Sequence, residues 1–315
     1  MTDRHKLLIR EILAVGIICS ALISILIFIS IVSYNVTAAD NDTIIVKVNV
    51  TNSEPILYNV YVEPTSVILE AGSYTTVNCT GQVYDINGWN DITSVNASIY
   101  DTSYGYDDDP NTADNNYRYF NQSCNCTSID TLNASCSCLF SVQYYANNGT
   151  WQCNMTVADS YGVTSIRNSS NFDIEALTAI DVPSLLDFGN LSVGEESDYI
   201  PINVSNYGNV QINVSVRGWG GTDPYSPTVD DIGLICQTGN ISTTSEKYAL
   251  NSSVVYDLMT NLTNTSTRIP NLNLAIRTND TVPTNDVNTT YWKLKIPLSV
   301  FGVCNGTIEF KAGEI

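Results

Sequence analysis

Histidine is nearly missing from this 315-residue chain: His5 is the only one. Beyond that position no Ser-His-Asp or Cys-His system can form, and no His-ligated zinc site. Carboxylate chemistry, such as glycoside hydrolysis, is the hydrolytic mechanism left open. With 32 Asp and Glu, two carboxylates ~5–9 Å apart will occur by chance. Nothing in the sequence marks such a pair, so no catalytic residue is assigned and the chain is expected not to be an enzyme. Positive charge is also scarce: 13 Lys and Arg leave a net charge of −19. A field of that sign repels nucleic acid and anionic lipid and tolerates divalent cations. Charged residues of either sign make up only 14% of the chain, so the polar surface is mostly Asn, Ser, Thr and Tyr.

Long apolar runs are lacking too, with one exception. Residues 12–32 read ILAVGIICSALISILIFISIV, 21 residues without a charge. A spanning helix needs ~20. Arg4, Lys6 and Arg10 precede the run and no Lys or Arg follows until Lys47, which places the N-terminus in the cytoplasm and the rest outside. A transmembrane signal-anchor over 12–34, with a cytoplasmic tail at 1–11, is one reading. The other is a signal peptide cleaved after Ala39, at the small-residue signature Thr37-Ala38-Ala39. Both export the remainder, which is then expected at the cell surface or secreted. The last residues, Lys311 to Ile315, hold no second apolar segment, and no C-terminal anchor is expected.

Asparagine is what the chain has in excess. Of 35 Asn, 21 stand in N-x-Ser/Thr sequons. Ser and Thr are about a fifth of the chain, so chance yields roughly seven such sequons, a third of the number present. On an exported chain the excess implies a glycan coat. The acceptors expected in the folded part are Asn78, Asn96, Asn121, Asn148, Asn154, Asn168, Asn190, Asn203, Asn213, Asn240, Asn251, Asn261, Asn279, Asn288 and Asn305.

Residues 35–58 read as an extended stalk, although the β-branched alternation at 43–50 also suits a strand. From 59 to 176 the pattern is all-β. Val77, Cys79, Gly81 and Val83 alternate, then Asp85-Ile86-Asn87-Gly88 turns the chain. Val95, Ala97 and Ile99 follow, then Cys138, Phe140, Val142 and Tyr144, and last Trp151, Cys153, Met155 and Val157. A second β module is expected over 177–315. Its middle, 242–285, is rich in Asn, Ser and Thr; residues 254–262 suit a short helix or interrupting strands equally.

The stretch NGTWQCNMTVADSYG, from Asn148 to Gly162, resembles the penultimate strand of immunoglobulin-like and PKD-type modules. Trp89, in the turn-like GWND, is not read as the core tryptophan of a true immunoglobulin domain. In the second module Phe188-Gly189, Val193-Gly194 and Asn206 to Asn209 resemble the opening of another immunoglobulin-like class. YWKLKIPLSVFGVCNGTIEFKA resembles the closing hairpin of many microbial surface modules. The chain is similar to tandem immunoglobulin-like/PKD-like β-sandwich surface proteins of archaeal type. That resemblance implies two tandem β-sandwiches and a cell-surface role. It also implies an inter-sheet disulfide between Cys79 and Cys153.

Cys19 lies in the apolar run and is read as a spectator. The other eight cysteines are even in number and exported, so disulfides are expected. Cys236 and Cys304 are the only two of the second module and are paired. Cys124, Cys126, Cys136 and Cys138 remain in the first. An antiparallel hairpin keeps the sum of paired positions constant, which favours 124–138 with 126–136. Pairing 124–136 with 126–138 stays open. A tetrathiolate zinc site is the rival, against the preferred C-x₂₋₄-C spacing.

The loop DTSYGYDDDPNTADNNYRY, 101–119, carries two candidate sites. Asp107, Asp108, Asp109 and Asp114 offer oxygen ligands for calcium, though not at EF-hand spacing. Asp85-x-Asn87-Gly88 reads as a turn rather than a ligand set. Tyr104, Tyr106, Tyr117 and Tyr119 suit a binding loop, because Tyr supplies rigid area with a polar tip. The sequence thus points to a non-enzymatic, N-glycosylated surface protein of envelope structure or adhesion. Its ligands would be glycans or other surface proteins. A fibre or layer subunit assembling by strand-edge pairing is the first alternative, and a secreted carboxylate-dependent carbohydrate-active enzyme the second.

Overall fold

The computed structural model describes residues 3–32, 43–225, 231–278 and 285–315. The chain divides into two compact units, residues 1–51 and 52–315. The first contains helix α1 (Asp3–Val32), 30 residues long. Among the described residues no helix is long and apolar enough to cross a membrane. The anchor expected over 12–34 therefore finds no support in the structure. Positions 33 and 34, the cleavage signature at 37–39 and the Asn279 sequon lie outside the described residues. Cys19 is a free thiol.

The second unit is β throughout. Its first half holds β1 (Ile56–Glu63), β2 (Ser66–Val67), β3 (Tyr74–Tyr84), β4 (Ile92–Asp101), β5 (Arg118–Asn121), β6 (Asn125–Ser128), β7 (Asn133–Gln143), β8 (Gly149–Asp159), β9 (Thr164–Asn168) and β10 (Phe172–Ile174). One sheet runs β1-β3-β7-β6 and the other β2-β10-β8-β4-β5, with β9 added along the far half of β8. The strict alternation in β3, β4, β7 and β8 sends one side chain in two into the space between the sheets. Val77, Cys79, Val83, Phe140 and Val142 from one sheet meet Ile99, Trp151, Met155 and Val157 from the other in a single buried cluster. Trp89, in a 3₁₀ turn (Trp89–Asp91), only rests against that cluster.

The second unit starts at Asn52, and its first strand begins at Ile56, inside the stretch read as a stalk. Residues 43–50 carry no regular structure, and the β-branched run that suited a strand stands in the open. The strand that does form, β1, hides its alternation behind a register shift between Tyr58 and Tyr61, where Asn59 takes φ 55°.

The second half holds β11 (Ile180–Asp181), β12 (Ile200–Asn206), β13 (Ile212–Gly220), β14 (Ile232–Thr238), β15 (Asn240–Ser242), β16 (Glu246–Ala249), β17 (Thr260–Asn261), β18 (Thr267–Leu274), β19 (Val287–Leu294) and β20 (Phe301–Glu314). The sheets run β11-β12-β19-β16-β17 and β15-β14-β20-β13-β18. Val204, Tyr248 and Trp292 from one pack against Val214, Leu272 and Leu274 from the other. Residues 254–262 contain a 3₁₀ turn at Tyr256–Leu258 and then β17. The closing hairpin expected near the end is not one. β19 pairs with β12 and β16, and β20 with β13 and β14 in the opposite sheet. Lys295 and Ile296 bond back to Ser245 and Glu195, and Pro297 cannot donate to a ladder, so the chain crosses between sheets instead of folding back.

Four disulfides staple this framework. Cys79–Cys153 joins β3 to β8 across the first core, with Cα atoms 6.5 Å apart. Cys124–Cys138 and Cys126–Cys136 cross the β6–β7 hairpin, one of the two pairings left open above. Cys236–Cys304 links β14 to β20 where the two residues face each other in register.

Candidate functional site

The concave surface of the first half lies on the outer face of the β5-β4-β8-β9 sheet. Alternation builds it directly. Val95, Ala97 and Ile99 of β4 and Cys153, Met155 and Val157 of β8 face the core. Their neighbours Asn96, Ser98, Asn154 and Thr156 are left for the other face. Register lines them into rows across the strands. Phe120, Ser98, Asn154 and Asn168 form one row, and Asn96, Thr156 and Ile166 the next. Over this floor stands the 102–117 segment, and Tyr106, Asp108 and Pro110 form its inner wall. The enclosed groove has a volume of about 440 Å³ and is edged by Asn121 and Gln122.

Arg118, at the head of β5, holds that wall in place. It is 7% exposed, and its guanidinium donates to Thr112 Oγ1 at 2.9 Å, the Gly105 carbonyl at 2.9 Å and Asp107 Oδ2 at 3.3 Å. Tyr106 leans on Tyr100 with ring centres 5.7 Å apart, and Tyr100 Oη donates to Gln152 Oε1 at 2.7 Å. Burial pushes the phenols of Tyr100 and Tyr106 up, and Asp108 adds to the effect at Tyr106.

The four tyrosines expected in a binding loop have separate fates. Tyr106 lines the groove. Tyr104 and Tyr117 stack on each other with centroids 4.3 Å apart. Tyr119 is a core residue: it is 7% exposed, packs against Trp151 and accepts the Gln143 N–H. It sits opposite Ile99 on the inner face of β5, so its ring is withdrawn from any ligand.

The four acids expected to bind calcium do not converge either. Three of them are used locally. Asp107 accepts the Asp109 N–H and pairs with Arg118, and the N–H of Asp109 is the main cause that holds its carboxyl below the usual range. Asp109 caps the turn at Asn111 and Asp114 accepts the Asn116 N–H. Asp108 alone faces the groove. Among the described residues the one acidic cluster with metal-ligand spacing is elsewhere, at Asp85, Asp91 and Asp159.

The sequon asparagines are mostly on the surface. Asn96, Asn148, Asn168, Asn190, Asn203, Asn240, Asn251, Asn261, Asn288 and Asn305 are exposed, and Asn78, Asn121 and Asn213 half-buried. Asn154 stands apart: it is buried and donates from Nδ2 to Asn168 Oδ1 at 2.6 Å. The groove floor, two rows deep, follows from alternation. Its wall depends on Arg118, to which the sequence attaches no signal.

No protein-family model matches the chain, and no curated protein matches it. Solved structures do. The CsuC–CsuE chaperone–tip adhesion subunit complex from the Csu pili of Acinetobacter baumannii aligns over 79% of this chain and 97% of its own, at 11% identity and TM-score 0.37. BcpA, the major pilin subunit of Bacillus cereus, aligns over 54% of this chain and 49% of its own, at 7% identity and TM-score 0.23. A carbohydrate-binding module of the β-sandwich superfamily aligns over 82% and 97%, at 11% identity and TM-score 0.26. The likeness is one of β-sandwich architecture.

Proposed function

We propose that the chain is a non-enzymatic surface protein that binds saccharide in the groove over β5-β4-β8-β9, serving adhesion or envelope structure. The groove carries the reading. A sugar presents hydroxyls that both donate and accept, and one apolar C–H face. Asn96, Ser98, Gln122 and Thr156 offer matching amides and hydroxyls, while Phe120 and Tyr106 offer aromatic surface. Among the described residues that line the groove, Asp108 is the one carboxylate. Glycoside hydrolysis uses two, so the lining favours binding over hydrolysis. In this proposal both halves are immunoglobulin-like, residues 12–34 export or tether the chain, and the exposed sequons carry N-glycans. Three sequon asparagines line the groove itself, Asn96 exposed, Asn121 half-buried and Asn154 buried, so a ligand requires the accessible Asn96 and Asn121 to be bare.

The test is a saccharide array probed with the full-length protein and with Phe120→Ala and Tyr106→Ala, alongside peptide mapping of natively produced protein. Retention of the wild type, weakened at least tenfold in both variants, with Asn96 and Asn121 unmodified, is the expected result. Glycans on both, or equal retention of the variants, removes the groove from the function. A second reading, a fibre subunit, rests on residues 43–50. They are unpaired, and Ile44, Val46 and Val48 are more than 80% exposed, as a strand donated to a neighbouring copy would be. Assembly that persists after deletion of 40–57 would remove that reading.

A further inference from the structure

Outside the groove, three carboxylates meet at one end of the first sandwich. Asp85 follows β3, Asp91 ends the 3₁₀ turn before β4 and Asp159 closes β8. The β4–β8 register sets Ile92 opposite Asp159, which brings the two turns together. One oxygen of each carboxylate lies within 4.8 Å of the others. The cluster is interior, with Asp85 at 0% and Asp159 at 2% exposure. None of the three takes part in an ion pair among the described residues.

Two oxygens in this cluster lack a donor. Asp85 Oδ1 accepts the Asn87 N–H at 2.8 Å, but Asp85 Oδ2 is buried without a hydrogen bond. Asn52 donates from Nδ2 to Asp159 Oδ2 at 2.7 Å, while its own Oδ1 is also buried and unpaired. The rest of the set is already fixed. Asp159 Oδ1 accepts the N–H groups of Tyr161 and Val163, both at 2.9 Å, and Asp91 accepts the Ser160 hydroxyl. Burial, with the charges of Asp91 and Asp159 beside it, pushes the Asp85 carboxyl up. Buried acceptors without donors are costly, and like charges at this range add to the cost.

A cation answers both. The donors are all oxygen, with no imidazole or thiolate among them, which suits a hard ion of flexible coordination rather than zinc or copper. We propose that Asp85, Asp91, Asp159 and the Asn52 side-chain carbonyl form a calcium site. Bound calcium fastens the start of the β unit to both turns, reinforcing the bond from the Ser53 N–H to Asn87 Oδ1 at 2.8 Å.

The experiment uses the full-length chain, stripped with chelator and titrated with calcium chloride by calorimetry and thermal unfolding. One site per chain is expected, with a dissociation constant on the order of 10⁻⁴–10⁻³ M, together with a melting temperature that rises with calcium. Asp85→Asn should weaken binding at least tenfold while leaving the calcium-free protein as stable as the wild type or more so. Asp91→Asn, at a half-buried position, should weaken binding too and serves if Asp85→Asn does not fold. The double variant Asp107→Asn/Asp109→Asn should bind as the wild type does. The proposal is overturned by wild-type protein that shows neither heat nor melting shift up to about 10 mM calcium. It is equally overturned by binding that survives both cluster variants, or that is lost in the 107/109 variant.

Discussion

Glu246 carries a carboxyl into the second sandwich because it stands at an inward position of β16, two residues before Tyr248. Gly233 makes the room: a Cβ there would lie 2.7 Å from Glu246 Oε2. Burial pushes the carboxyl up to about 8, so the folded chain holds a proton there that the unfolded chain releases near its ordinary value of 4.5. For a group raised in the folded state, the stability that protonation contributes is complete below the unfolded value and is lost as pH rises through the folded one. Between pH 4.5 and about 8 stability should therefore fall by up to ~1.4 kcal/mol per pH unit from this residue. Glu246→Gln removes the titration. Urea denaturation of the two proteins from pH 5 to 8.5 should show the wild type losing stability with pH and the variant a flatter course. Parallel slopes would mean that Glu246 keeps its charge when folded.

The disulfides act at the level of strands, and they should not count equally. Cys79–Cys153 closes 74 residues and ties the two sheets of the first sandwich, whereas Cys126–Cys136 closes 10 within one hairpin. In the chain-entropy account these loops correspond to ~4 and ~3 kcal/mol. Replacing the first pair by alanine also opens a buried spot in contact with both sheets. Chemical denaturation should rank the Cys79→Ala/Cys153→Ala protein clearly below the Cys126→Ala/Cys136→Ala protein. The reverse order would show that the hairpin, not the sheet–sheet bridge, limits stability. Strands of this kind were legible beforehand because β3, β7 and β8 alternate, as β4 does from Val95 to Ile99, past its irregularity at 92–94. The others fail for identifiable reasons. β1 carries its bulge at Asn59, β9 is short and polar, and β10 has only three residues. β5 is four residues long, too few to show that Tyr119 points inward and Phe120 outward. The groove suffers from the same limit. Its floor is the complement of a readable core pattern, but its wall rests on Arg118, and one arginine in an acidic loop reads as a solvated charge. The clustering of Asp91 with Asp159 needs the β4–β8 register, which spacing alone does not supply.

Across the whole β unit, buried polar groups and tyrosine rings join the two sandwiches. Asn209, 1% exposed, donates from Nδ2 to the carbonyls of Ala146 and Glu175, both at 3.0 Å, and accepts the Leu177 N–H at 2.6 Å. Gly208 beside it lies so close to the connecting segment that a Cβ would fall 2.0 Å from the Leu177 carbonyl oxygen. Tyr207 meets Tyr144 of the first sandwich at 5.4 Å between ring centres, and Tyr144 Oη accepts from Arg277 of the second at 3.0 Å. One side chain of the second half thus satisfies three backbone groups of the first half and of the connection that follows it. Removing it leaves them without this partner, the Ala146 carbonyl in a buried place, at roughly 1–3 kcal/mol for each group that water cannot reach. That loss falls on the joint and leaves both cores intact. Calorimetry of the full-length chain should therefore show one transition for the β unit in the wild type, and in Asn209→Ala a lower, broader melt that resolves into two. The nearest control is Asn203→Ala, on the exposed side of β12, which should leave the transition where it was. If Asn209→Ala melts as sharply and as high as the wild type, the two sandwiches are coupled by the tyrosines and Arg277 instead, and Tyr207→Ala becomes the change that separates them.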